Sequence, residues 1–99
     1  MEIIITQHAY DRIKERMGLN KAAAERLAHK ALNCGIQHGD TKGMLHKYIS
    51  GQLHRNPHKG AAVRLYGEFA YAFIQEGEKM LLLTIFQIPR NLRSHVQQS

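Results

Sequence analysis

Near Gly60 the period of the apolar residues changes from 3.6 to 2, and nothing else in the chain limits its fold as strongly. Before that point apolar side chains recur at helical spacing. After it come three short alternating runs, 62–66, 69–75 and 80–88, separated by Gly67-Glu68 and Glu76-Gly77-Glu78. Connections that tight predict an antiparallel meander. The expected fold is therefore α+β, with N-terminal helices packed on one face of a small C-terminal antiparallel β-meander. The third run is apolar on both faces except at Thr84, the pattern of an interior strand covered by helices.

The first part of the chain reads as an entry segment and three helices. Ile3-Ile4-Ile5 is β-branched and short, and predicts an edge strand or an extended lead-in. Thr6 is placed to cap a first helix, which Gly18 ends by supplying a left-handed residue. Asn20 opens a second helix over 21–33, with Ala24, Leu27, Ala28, Ala31 and Leu32 on its inner face and Gly35 at its end. Asp40 or Thr41 opens a third, with Leu45, Tyr48, Ile49 and Leu53 inward and Ser50-Gly51 weakening its close. Residues 52–60 form a loop turned by Asn56-Pro57. Pro89 stops the last strand, and 90–99 is a polar tail. Ninety-nine residues suit one domain, spanning 1–99.

The first helix carries two rows. Ala9, Ile13 and Met17 make an apolar row; His8, Arg12 and Arg16 make a basic row offset by one residue, about 100° around the helix. A basic row at that angle borders the buried stripe and can face a cleft beside the core. For any one of these residues the plainer reading is an arginine stem laid on the core with its head in water. The site reading rests on the set. Thr84 alone likewise reads as a good strand former.

Fourteen Lys and Arg stand against eight Asp and Glu, a formal charge of +6, and the surplus is uneven. Residues 41–67 hold Lys42, Lys47, Arg55, Lys59 and Arg64, with His46, His54 and His58, and no acid. That is an electrostatic footprint for phosphate. Seven histidines invite a metal, but Asn56-Pro57 breaks the helix that would align His54 with His58, and no acid lies nearby to complete a ligand set. His38, His46 and His54 recur every eight residues, which keeps no helical face. Cys34 is the single cysteine, so no internal disulfide forms. The first residues do not form a signal peptide and no run is long enough to span a membrane, so the expectation is a cytoplasmic protein. No Gly-rich phosphate loop, nucleophile elbow or carboxylate pair is present. The set of His, Arg, Lys, Tyr and Thr around a small sheet suffices for RNA cleavage without metal or cofactor, because the 2′-OH of RNA is itself the nucleophile.

Three pieces of the chain resemble one family: His8-x-x-x-Arg12-x-x-x-Arg16, Arg64-x-Tyr66-Gly67, and Leu83-Thr84-x-x-x-x-Pro89. Together with helices followed by a meander in a short basic chain, they resemble the RelE-like toxins of phage and plasmid origin, within the barnase, EndoU, colicin D and RelE group of ribonucleases. The resemblance implies a metal-independent endoribonuclease cleaving tRNA or mRNA, held by an acidic cognate inhibitor protein. His8 resembles the family's catalytic histidine, Arg12, Arg16 and Arg64 its phosphate-binding cations, and Thr84 its late-strand hydroxyl. Tyr66 matches either a site hydroxyl or a base-stacking ring. The chain departs from the RelE type proper in its three helices before the sheet and the lack of a basic residue in its last strand, which favours free RNA or tRNA over a ribosome-bound message.

On this reading His8, Arg12, Arg64 and Thr84 are expected to converge on one cleft, with Arg16, Lys42, Lys47, Arg55, Lys59 and Tyr66 binding RNA around it. The rivals are a nucleic-acid-binding module of phage origin without catalysis, and a protein-interaction module whose basic face docks an acidic partner. The basic segment generates a first test. RNA affinity should fall steeply with salt, and neutralising Lys47, Arg55 and Lys59 together should flatten the log–log slope by about 2, near 0.7 per lost phosphate contact. Undetectable RNA binding at low salt would leave only the protein-partner reading.

Overall fold

A computed structural model describes residues 2–37, 43–55 and 61–92, with the side chains of 53–55 outside the description. The chain begins with strand β1 (Glu2–Ile5) and continues through helices α1 (Gln7–Met17) and α2 (Lys21–Cys34), strand β2 (Ile36–Gln37) and helix α3 (Gly43–Arg55). Strands β3 (Ala62–Tyr66), β4 (Phe69–Glu76) and β5 (Lys79–Gln87) come next, and a 3-10 turn (Arg90–Leu92) closes the described chain. The fold is α+β, three helices around a five-stranded mixed sheet of order β1-β5-β4-β3-β2.

Local signals set the ends of the first two helices. The Thr6 side chain accepts a hydrogen bond from the Ala9 N–H, and that of Asn20 accepts from Ala23 N–H, so both helices start on a polar cap. Gly18 ends α1 at φ 68°, a left-handed conformation that costs glycine nothing. α3 runs on to Arg55, through Gly51 and into the stretch expected to be loop. Its inward Leu45 and Ile49 bury fully, and that packing outweighs the weak helix propensity of Ser50-Gly51. The start of α3 at Asp40 or Thr41, the turn at Asn56-Pro57 and the tail beyond Leu92 lie outside the described residues, as does the Leu53 side chain.

The three expected strands form the antiparallel meander, β3 on β4 and β4 on β5. Two strands extend it. β1 joins its far edge, parallel to β5, pairing Glu2–Lys79 through Ile5–Leu82. The two-residue β2 pairs with Leu65 and Arg64 on the opposite edge. The sheet is thus mixed, and its first strand precedes all the helices.

The helices occupy both faces, which corrects the one-face arrangement. One core gathers Ala9 and Ile13 of α1 and Ala24, Ala28 and Ala31 of α2 against Ile5, Tyr71, Phe73 and Leu82. The other packs Leu45 and Ile49 of α3 on Val63, Leu65, Ala70 and Ile88. β4 is the middle strand and is buried at four successive positions, Ala70 to Phe73, so its alternating side chains feed both cores. Leu92 buries in the second core, so the residues just after Pro89 are part of the fold.

Gly35 illustrates how closely the layers approach. Its φ of −70° suits any residue. A Cβ there would strike the Ala31 carbonyl oxygen and lie 3.0 Å from the Arg64 Cβ and 3.2 Å from the Leu65 oxygen. Gly51, by contrast, has nothing within 4 Å of an added Cβ. Gly35→Ala should therefore destabilise by about 1–3 kcal/mol through overpacking, while Gly51→Ala should stabilise α3 by about 0.5–1 kcal/mol. Urea midpoints of the two variants check both signs.

Candidate active site

β1 covers only the first half of β5. Beyond Leu82 no strand among the described residues pairs with the outer edge of β5, and α1 starts beside it. One residue holds this junction. The Thr6 N–H donates to the Leu82 carbonyl at 3.1 Å, and the Thr6 hydroxyl lies 3.1 Å from both the Leu82 and Leu83 carbonyl oxygens while accepting from Ala9 N–H at 3.2 Å. A hydroxyl has one proton, so the two carbonyls share it.

Those carbonyls flank a β-bulge. Ala72 pairs with Thr84 and Phe73 with Leu82, leaving Leu83 without a partner on β4. A bulge adds a residue to one strand and re-aims the side chains beyond it. Without it Thr84 would oppose Tyr71, in the row of Arg64, on the face covered by α1 and α2. With it Thr84 opposes Ala72, which opposes Val63, and so turns toward the face covered by α3.

From that position Thr84 Oγ1 lies 3.1 Å from His8 Nε2, a contact between residues 76 apart in sequence. The bond can run either way. An unprotonated Nε2 accepts from the hydroxyl; an Nε2–H donates to it, leaving the hydroxyl to donate to the Ile85 carbonyl at 3.4 Å.

The pair lies in a cleft of about 810 Å³ formed by α1, the outer edge of β5 and Gln52 of α3. Thr6, His8, Arg12 and Arg16 line one wall, residues 83–87 the floor, and Gln52 the other wall. Arg12 is half-buried and Arg16 exposed, as their places beside the apolar row require. Tyr48 on α3 donates to the Gln87 carbonyl at 3.2 Å and meets the Phe86 ring edge-on, centroids 6.3 Å apart. These contacts tie α3 to the end of β5.

The structure thus brings together His8, Arg12, Arg16 and Thr84, and leaves Arg64 out. Arg64 opposes Tyr71 on β3, two strands from β5, beside Gly35 on the α2 face, with its guanidinium 3.5 Å from the Val63 carbonyl. The bulge is the reason, since it sends Thr84 to the opposite face. Tyr66 is half-buried against the first core and does not line the cleft. Burial, and then the proximity of Tyr66, push the Tyr71 phenol well above the usual tyrosine range. Lys47 is exposed on α3. Lys42, Lys59 and the Arg55 side chain lie outside the described residues. Among the described residues no three His, Cys, Asp or Glu side chains gather closely enough to hold a metal ion, and no helix is long and apolar enough to cross a membrane.

Thr6, Gln52, Phe86 and Gln87 join the site without having been singled out by sequence. Thr6 carried a capping signal only, and Gln52 fell in an expected loop. No family model, curated protein or solved structure matches the chain.

The bulge generates a test. Deleting Leu83 leaves Leu82 opposite Phe73 and Thr84 opposite Ala72, so both cores keep their register, but it removes one of the two carbonyls that the Thr6 hydroxyl holds, and with it part of what sets the start of α1, and so His8, against β5. A crystal structure of the deletion should show the same sheet with Nε2 and Oγ1 beyond hydrogen-bond distance. Retention of the 3.1 Å contact would show that the bulge does not set it.

Proposed function

We propose that this cleft cleaves RNA by attack of a ribose 2′-OH on the adjacent phosphate, in a divergent RelE-like toxin fold. The observation that carries the reading is the His8–Thr84 contact in a cleft whose wall also bears Arg12 and Arg16. An imidazole held by a hydroxyl beside two permanent cations is a set that can move a proton and hold the charge of a phosphorane.

In the reaction the 2′-oxygen forms a bond to phosphorus as its proton leaves, and the bond from phosphorus to the 5′-oxygen breaks as that oxygen gains a proton. The products are a 2′,3′-cyclic phosphate and a 5′-hydroxyl. His8 serves one of the two proton transfers, and water reaching the open cleft serves the other. Arg12 and Arg16 bind the scissile phosphate and its neighbour. Thr84 orients the imidazole in the free protein and donates to a non-bridging oxygen when the phosphate is bound. Arg64 has no part in this scheme. The substrate is free RNA or tRNA in the cytoplasm, and the same cations suit an acidic inhibitor that closes the cleft.

The test is incubation of purified protein with total RNA in EDTA, with mapping of new ends. Cyclic-phosphate ends are expected. His8→Ala should lower the rate on the order of 10²-fold or more while leaving RNA affinity within a few-fold. Arg12→Ala should lower both rate and affinity, and Arg64→Ala should leave the rate within a few-fold. Intact cleavage in the His8 variant would leave the cleft as a binding site only.

A further inference from the structure

The large apolar residues that line the cleft, Leu83, Ile85 and Phe86, have no part in the chemistry above, and Phe86 is the aromatic one among them. Phe86 lies on the cleft floor, two residues beyond Thr84, and is half-buried. Its packing is fixed. Tyr48 meets the ring at 63° between planes, and the Tyr48 hydroxyl is anchored on the next carbonyl, that of Gln87. Phe86 opposes Ala70 as Thr84 opposes Ala72, so both side chains leave β5 on the same side. Two strand residues span roughly 7 Å, about the reach from a phosphate to the base of its own nucleotide. Gln52 of α3 lines the same space. A ring braced edge-on by Tyr48 and one nucleotide's reach from the phosphate-binding groups is a platform for a nucleobase.

We propose that Phe86 stacks a nucleobase next to the scissile phosphate, so that the cleft takes an unpaired nucleotide. This rests on the RNA-cleaving reading of the cleft and narrows its substrate. A base within a duplex is already stacked on both faces and cannot reach a ring on the floor of a cleft; a base in a loop or single strand can turn out to meet it. Arg12 and Arg16 then supply sequence-independent affinity, and Phe86 supplies the choice of single-stranded over paired RNA.

The experiment separates stacking from catalysis. Fluorescently labelled 2′-O-methyl RNA twelve-mers, which lack the nucleophilic hydroxyl, are compared with abasic strands of the same length and with the base-containing strand annealed to its complement. The wild-type protein should bind the base-containing single strand about tenfold more tightly than the abasic one, the order that one base–aromatic stack provides. Phe86→Leu should reduce that ratio to within about twofold, and Phe86→Tyr should restore it. Because Phe86 touches the second core, a second measurement uses the unaltered chain. Its Phe86 ring-proton resonances should move upfield with the base-containing single strand and stay in place with the abasic strand or the duplex. Equal affinities for the two single strands, or resonances that move with all three probes, would overturn the proposal. Stacking without cleavage of ordinary RNA would refute the nuclease reading alone, and cleavage without base dependence would refute the stacking alone.

Discussion

The structure turns on the pairing of β1 with β5 and on the threonine where that pairing stops. Thr6 ends a strand, caps a helix and holds two carbonyls of the neighbouring strand, all from one backbone N–H and one hydroxyl. A polar cap is commonly worth about 1 kcal/mol to its helix. Its larger effect here is geometric. It fixes where α1 begins relative to β5, and every residue of α1 takes its bearing from that point. With the start fixed, Ala9 and Ile13 fall into the first core, and the row one position back, His8, Arg12 and Arg16, turns to the open edge of β5.

That edge is available because β1 is short. Four residues pair, and the next five of β5 have no strand outside them among the described residues. Free edges of apolar strands invite unwanted pairing. Here the edge is flanked by an imidazole and two guanidinium groups on one side and by α3 on the other, which charges it and narrows access to it. The same arrangement that protects the edge makes the cleft.

Much of the fold could be read from sequence because its signals are local. Thr6, Gly18 and Asn20 act within one turn of helix, and the run 62–66 alternates over its own five residues. The parallel attachment of β1 and the two-residue β2 have no local signal, since three isoleucines do not say which edge they will join. The division of helices between two faces was written in β4, where Phe69-Ala70-Tyr71-Ala72-Phe73 offers apolar side chains both ways. The basic row on α1 comes from helical spacing, and so its members stay together. The grouping of Arg64 with Thr84 rests on the family resemblance and would need an unbroken strand. In regular alternation the two would share a row through Tyr71; one extra residue at Leu83 puts them on opposite faces. A bulge is decided by the register between strands, which no single strand encodes.

His8 and Thr84 stand 76 positions apart, and the strand that joins their surroundings, β1, is made well before its partner β5. Contacts of that separation form late in folding, after the entropy of closing the intervening chain has been met by the rest of the sheet. The cleft is therefore a property of the assembled sheet, and no helix or hairpin of this chain carries it alone. A ribosome still translating β4 holds a chain with its cations in place and no hydroxyl to meet the imidazole. Any reactivity that depends on the pair is withheld from the nascent chain until β5 has emerged.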